Sequence, residues 1–162
     1  MYKKILLWIL VLLCMGMIFC FSSQKATESD KTSLSFAGRI IQMLDMDDSL
    51  TPEEIEKTSE DINHVVRKGA HFSIYGLLGA LILLLIIQYN VRLTRVLPYS
   101  TLISMLYACS DEYHQTFVPG RSGQLSDILL DTAGAFCGAV LVMFVVVLIK
   151  SRKHRERSVK FF

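Results

Sequence analysis

The sequence predicts an all-α polytopic membrane protein, a four-transmembrane-helix bundle with a short extracytoplasmic helical insertion. Hydrophobic residues make up 52% of the 162-residue chain and the mean hydropathy is +0.42. The apolar residues are concentrated in long runs, as a lipid environment requires, and basic residues flank those runs. The length suits one domain, and a formal charge of +2 is too small to indicate a nucleic-acid partner.

Four apolar runs supply the predicted spans, at about 5–21, 72–89, 96–117 and 127–149 within a single domain of residues 1–150. A signal peptide is the alternative interpretation of the first run. No small-x-small cleavage site or lipobox is found there, which favours an uncleaved anchor helix. The third run is long enough to cross a bilayer only if its helix continues through two acidic residues, at 111 and 112.

An extracytoplasmic segment is predicted for residues 22–71, which are mostly polar. Apolar residues at helical spacing within 34–44 predict a short amphipathic helix lying on the membrane or on the protein. Thr51, Pro52 and Glu54 predict a helix start with a capping box, and that helix could run on into the second span. The segment is either a lid over a pocket or a surface for a partner.

Shorter patterns predict how the helices begin, turn and approach one another. Pro119-Gly120 suits a type II turn before the fourth span, and Ser126 is the expected cap of that span. Gly134 and Gly138 form a small-xxx-small surface where another helix can approach closely. The four cysteines have no metal-type spacing and are interpreted as packed thiols without disulfides: Cys14, Cys20, Cys109 and Cys137.

The basic residues predict the orientation of the chain. A four-span topology places on one side Lys3, Lys4, Arg92, Arg95, Lys150, Arg152, Lys153, Arg155 and Arg157. The last of these belong to a basic cytoplasmic tail at 151–162. The acidic segment 22–70 and the loop 111–126 fall on the other side. We therefore predict a multi-pass cell-membrane protein with cytoplasmic N- and C-termini.

A depth calculation gathers most polar residues of the spans at one level. A hydrocarbon core of ~30 Å needs about 20 helical residues. Counting from the basic anchors puts at the outer interface Lys68, His71, Tyr75, Asp111, Glu112, Gln115, Arg121, Asp127 and Asp131. Ionisable groups persist below the headgroups only when paired or hydrated. An ion-pair network that locks the bundle is one interpretation, but the number of ionisable groups exceeds that need and favours an outward-facing pocket, with Lys68 and Arg121 as the carboxylates' partners.

The same residues carry a family resemblance. Three blocks resemble the signature of the VanZ-like family: Arg67-Lys68-x-x-His71-Phe72-x-x-Tyr75-Gly76, Ser110-Asp111-Glu112-x-x-Gln115-x-Phe117-Val118-Pro119-Gly120-Arg121, and Ser126-Asp127. The resemblance implies a bacterial envelope protein, and the founding member is associated with teicoplanin resistance. It implies no defined molecular activity. Asp131 departs from the family pattern, which often has Asn at about this place.

Three functions are compatible with these patterns. In the first, a non-enzymatic pocket binds a membrane lipid or a lipid-linked envelope precursor through its anionic headgroup, with Arg121 as a bidentate and Lys68 as a point contact. The pocket residues are Lys68, His71, Tyr75, Asp111, Glu112, Gln115, Arg121 and Asp127. In the second, Glu112 or Asp111 with His71 serves a membrane-embedded hydrolase or transferase. The third is a structural or partner-binding protein whose partner the sequence does not identify. No HExxH or serine-elbow motif is present, which favours the binding protein over the enzyme but leaves the enzyme as an alternative. We expect no metal and no cofactor.

Overall fold

The computed structural model describes residues 2–44 and 51–159, and every element in those ranges is a helix, which confirms the all-α prediction. The five helices are α1 (Tyr2–Ser22), α2 (Ala26–Leu44), α3 (Pro52–Ile87), α4 (Leu93–Gln115) and α5 (Leu125–Val159). The basic tail predicted for 151–162 continues α5 as far as Val159. Its side chains from 153 onward, and residues 160–162, lie outside the described part of the chain.

Three of the helices are long and apolar enough to cross a membrane: α1, α3 and the part of α5 that ends at Arg152. Membrane-crossing helices are thereby supported for three of the four predicted spans. Helix α4 has 23 residues and continues through Asp111 and Glu112, as its length requires. Its composition is less apolar than that of the other three because buried serines and acids interrupt the run.

Helix α3 is a single rod that joins the polar insertion to the second apolar run. Its start has the predicted capping box, in which the Thr51 side chain accepts a hydrogen bond from the Glu54 backbone and the Glu54 side chain accepts one from the Thr51 backbone. At 1.5 Å per residue its 36 residues measure roughly 54 Å, which exceeds a ~30 Å hydrocarbon core. Its N-terminal turns therefore extend beyond any apolar layer.

Helix α2 packs on this projecting part of α3. It buries Ala37 and Ile41, and Asp30 forms an ion pair of 2.7 Å with Arg67 of α3. The helix begins eight residues before the predicted 34–44 element. Its first two turns were missed because they contain few apolar residues, so they show no amphipathic pattern.

The closest helix pair is α3 with α5, and it confirms the predicted small-residue surface. A Cβ on Gly138 would collide with the carbonyl oxygen of Gly76, and one on Gly134 would collide with that of Phe72. Because 134 faces 72 and 138 faces 76, the two helices run parallel. Residues without side chains let the backbones touch there.

Helices α1 and α4 run in the opposite direction to this pair. The Trp8 indole donates to the Tyr89 hydroxyl over 2.9 Å, and the Tyr107 hydroxyl donates to the Met15 carbonyl over 2.6 Å. The Lys4 ammonium lies 4.5 Å from the centre of the Tyr89 ring. One end of the bundle therefore holds the α3–α4 turn and the basic N-terminus, and the other holds the polar site.

Two local predictions were wrong. Helix α5 begins at Leu125, so Ser126 lies inside its first turn and donates to Gln124 and Asp127 side chains instead of capping the helix. All four cysteines are free, but only Cys14 is buried. The other three lie on the outer surfaces of their helices because the bundle packs through its glycines, serines and acids.

Candidate functional site

The turn between α4 and α5 is held by a buried glutamate. The Arg121 amide donates to the Val118 carbonyl over 3.1 Å, and Gly120 has a φ of 79°, which confirms the predicted type II geometry. Glu112 accepts one hydrogen bond from the Gln124 backbone amide at 2.9 Å and another from the Gln115 side chain at 3.1 Å. Both Glu112 oxygens thus have donors, and the side chain fastens the turn to α4.

Asp111 joins three helices at the same end. Its Oδ2 accepts hydrogen bonds from the Ser22 hydroxyl of α1 at 2.8 Å, the Tyr75 hydroxyl of α3 at 3.2 Å and the Gln115 amide at 3.3 Å. Its Oδ1 is buried and has no hydrogen-bond partner. One oxygen therefore orients the carboxylate, and the other remains available for a ligand.

Two acid–base pairs connect α3 with α5. Lys68 Nζ lies 3.0 Å from Asp127 Oδ1 at the edge of the site. One turn deeper, His71 Nδ1 lies 3.8 Å from Asp131 Oδ2, which is longer than a hydrogen bond. Asp131 is fully buried, and neither of its oxygens has a hydrogen-bond partner. The deeper pair is thus incompletely satisfied.

Arg121 does not have the carboxylate partner that the sequence suggested. It donates to the Gln115 side-chain oxygen at 3.2 Å and to the Phe21 carbonyl at 3.3 Å, and within the described ranges no acid lies within 4.0 Å of it. The prediction was wrong because Gln115 stands between Arg121 and the acids of α4. Burial lowers the pKa of Arg121, and the positive charge of Arg67 lowers it further.

These side chains surround two adjoining cavities. The first, the polar pocket, has a volume of about 120 Å³ and lies among α3, the turn after α4 and the start of α5. The second, the apolar groove, has a volume of about 700 Å³ and lies among α1, α2 and α3, with Ile18, Phe36 and Ile74 in its walls. Arg67, His71 and Arg121 line both. A polar chamber therefore adjoins a larger apolar one.

The predicted site residues fall into two groups. Those that line the polar pocket are Lys68, His71, Gln115, Arg121 and Asp127. Tyr75, Asp111 and Glu112 lie behind it as buried hydrogen-bonding groups.

Sequence reasoning left three participants out of the site. Arg67 stands next to Lys68 in the quoted motif, and Asp131 lies one helical turn after Asp127. Their positions beside predicted site residues could have identified both from the sequence. Ser22 had none, because a serine at the end of an apolar run carries no periodicity that identifies a role.

The comparisons with known proteins agree with the motifs. The family model described as VanZ/LLP1 matches residues 7–150, which confirms the resemblance. No curated protein and no solved structure matches the chain.

Proposed function

Since the chain belongs to the VanZ/LLP1 family and has helices able to cross a membrane, we propose that it is a four-span protein of the bacterial cell envelope that binds a lipid-linked anionic headgroup. Both termini are cytoplasmic, and the polar pocket opens on the outer face. The headgroup occupies the polar pocket, and the hydrocarbon chain enters the apolar groove. The protein binds this lipid without converting it.

The packing of α4 supports a fourth span. The helix buries small and polar residues, including Ser100, Ser104 and Ala108, and exposes Leu102 together with Ile103, Met105 and Leu106. A soluble helix would have the opposite arrangement, because its apolar side faces the core. An exposed apolar face suits lipid, and small residues inside suit close helix contacts.

The orientation rests on the two ends of the bundle. A single cysteine at Ser122, in a cysteine-free background, should react with an impermeant maleimide in intact cells. One at Ser151 should react only after permeabilisation. Labelling of Ser151 in intact cells would contradict the proposed orientation.

One observation carries the binding proposal: the polar pocket and the apolar groove share Arg67, His71 and Arg121. A lipid phosphate has the matching shape, with a small charged group covalently joined to a long apolar chain. The charged end needs donors, and the chain needs a wide apolar surface. Neither cavity alone would distinguish a lipid from a free anion or a free hydrocarbon.

The charges in the polar pocket favour an anion. Three cations line it, Arg67, Lys68 and Arg121, against two carboxylates. Asp30 and Asp127 already pair with Arg67 and Lys68. Among the residues that the structure describes, Arg121 donates only to neutral oxygens, so it is the cation with the most to gain from a phosphate, which arginine binds through parallel hydrogen bonds. A phosphate between Arg67 and Arg121 would also relieve their repulsion.

A thermal-shift experiment tests the proposal. Purified full-length protein in detergent is titrated with a polyprenyl phosphate, with phosphatidylglycerol and, as a neutral control, with phosphatidylcholine. A ligand that binds only the folded protein raises stability by RT ln(1 + [L]/Kd), so the anionic lipids should raise Tm and phosphatidylcholine should not. All titrations contain a chelator.

Matched variants make this experiment specific. The rise in Tm should shrink in Arg121→Gln and Lys68→Gln, each measured against its own lipid-free Tm. Arg95→Gln should keep the full rise, because Arg95 is an exposed cation at the opposite end of the bundle. Equal shifts in all three variants would mean that the lipid binds elsewhere, and no shift in wild type would favour the structural alternative.

The structure also bears on the enzyme alternative. Glu112 has donors on both oxygens and does not line the polar pocket, which supports a structural role for it. His71 lines both cavities and Asp111 has one oxygen without a donor, so these two are the remaining candidates for a base. Conversion of the added lipid, lost in His71→Asn, would favour the enzyme over the binding protein.

A further inference from the structure

The strongest unexplained feature is a group of buried carboxylate oxygens with no partner. Asp111 Oδ1 and both oxygens of Asp131 are buried and accept no hydrogen bond. Asp111 is 3% exposed and Asp131 is 0% exposed. Burying an unpartnered carboxylate is costly, so three such oxygens in one place call for a bound cation or for protonation.

We propose that His71, Asp111 and Asp131 bind a divalent transition-metal ion. One ligand atom from each residue lies within 4.8 Å of the other two. Zinc bonds to nitrogen and carboxylate oxygen at about 2.0–2.2 Å, so the ligands of one tetrahedral ion lie about 3.3–3.6 Å apart. The ligand atoms therefore need to close by at most about 1.5 Å, which side-chain rotation can supply.

A proton does not account for the cluster as well as a metal does. A protonated His71 donates one hydrogen from Nδ1, and its distance of 3.8 Å to Asp131 is too long for that bond. One proton would in any case leave oxygens of both aspartates without partners. A divalent ion satisfies both carboxylates together and balances their charge.

The donor set indicates the class of metal. An imidazole nitrogen suits Zn²⁺ and other transition metals, whereas Ca²⁺ and Mg²⁺ prefer oxygen alone. Two carboxylates also suit Mn²⁺. With three protein ligands the ion keeps a position for water or for another oxygen ligand.

The residues around the cluster are arranged as outer-shell partners of a metal site. Ser22, Tyr75 and Gln115 all donate to Oδ2 of Asp111, which fixes that carboxylate while its Oδ1 has no donor. Such hydrogen bonds orient metal ligands and tune their basicity. A carboxylate that served only to stabilise the helix bundle would be expected to accept hydrogen bonds on both oxygens.

This proposal does not rest on the proposed lipid binding, in which the phosphate contacts are Arg67, Lys68 and Arg121. His71 and Asp131 line the polar pocket, so the ion would face it. We expected no metal from the sequence because it contains no metal-binding motif, whereas these ligands come from three separate helices that no local spacing connects.

The test uses full-length protein purified without a histidine tag and stripped with a chelator. Equilibrium dialysis with Zn²⁺, Mn²⁺ and Ca²⁺, followed by elemental analysis, measures the ions bound per chain. We expect one Zn²⁺ or Mn²⁺ per chain, and weak or no Ca²⁺ binding. His71→Gln and Asp131→Asn should each lower the affinity at least tenfold. Glu60→Gln should not, because Glu60 is an exposed acid about three turns before His71 on α3.

A spectroscopic measurement keeps the test valid if a variant folds poorly. Co²⁺ added to stripped wild type should give visible d–d bands of a nitrogen–oxygen site, and Zn²⁺ should displace them. No saturable binding of any of these metals to wild type would overturn the proposal. Binding that persists in both His71→Gln and Asp131→Asn would also overturn it. Because no lipid is added here and the lipid titrations contain a chelator, either proposal can fail without the other.

Discussion

Two corners at the same end of the bundle use buried acids in different ways. In the Glu112 corner, formed by Glu112, Gln115 and Gln124, both glutamate oxygens have donors and the turn before α5 is fixed. In the Asp131 corner, formed by His71, Asp111 and Asp131, three carboxylate oxygens have none. The acids of the two corners are buried to a similar extent. Neither their acidic character nor their burial therefore distinguishes a structural acid from a functional one. The difference lies in whether each oxygen is satisfied.

The Asp131 corner is where this protein tolerates an energetic cost. Real proteins keep unsatisfied polar groups mainly at functional sites and compensate for them elsewhere. Here the compensation is the tight α3–α5 contact and the fully bonded Glu112 corner beside it. Variants at the helix contact and then at each corner should therefore differ in their effect on stability.

The largest effect is expected at the helix contact that supports both corners. Gly138→Leu would drive a side chain into the backbone of Gly76, which cannot move aside as a flexible side chain could. Overpacking typically costs about 1–3 kcal/mol, and a backbone obstacle places this change at or above that range. Yield and Tm in detergent measure it. Gly16→Leu is the control, because nothing lies within 4 Å of a Cβ there; equal losses would contradict the close contact.

A smaller loss is expected in the Glu112 corner. Glu112→Leu removes two hydrogen bonds to a charged group, each worth about 1.5–3 kcal/mol, partly offset by the avoided burial of charge. We expect a net loss of about 2–4 kcal/mol, seen as a lower Tm. The exposed Glu60 gives the control, Glu60→Leu. An unchanged Tm in Glu112→Leu would show that these bonds do not hold the turn.

The smallest effect is expected in the Asp131 corner, and its sign is the informative part. In chelator-treated protein, Asp131→Asn removes an unsatisfied buried charge. The free energy of unfolding should therefore stay unchanged or increase by up to about 1–2 kcal/mol, and Tm should stay unchanged or rise. Thermal unfolding of the variant beside wild type measures it. A loss as large as that of Glu112→Leu would mean that His71 and Asp131 lock the bundle, as the ion-pair interpretation holds.

Much of the fold could be predicted because its signals are local. The capping box at Thr51, the turn at Pro119-Gly120 and the glycine spacing at Gly134 and Gly138 each depend on a few neighbouring residues. Helix α2 could not be bounded, because its first turns are polar and lie on α3 instead of in a core. The cap assigned to Ser126 failed because two residues of error at a helix end are enough to misplace a cap.

The depth of the site residues along the bundle could be predicted, but the arrangement of their side chains around the bundle axis could not. Counting residues from the basic flanks places Lys68, Arg121 and Asp131 at one level, but it does not say which side chains face one another. The expected pairing of Arg121 with an acid failed for that reason, since Gln115 lies between them. Whether a buried oxygen is satisfied depends on all the helices at once, so no sequence pattern could distinguish Glu112 from Asp131.

Native mass spectrometry of the protein released gently from bacterial membranes tests the proposed lipid binding most directly. We predict that wild type and Arg95→Gln retain one anionic, phosphate-bearing lipid, and that Arg121→Gln retains much less. Lipid recovered after incubation should have an unchanged mass. Retention that is equal in Arg121→Gln, or a recovered lipid that has been chemically converted, would contradict a binding pocket built around Arg121.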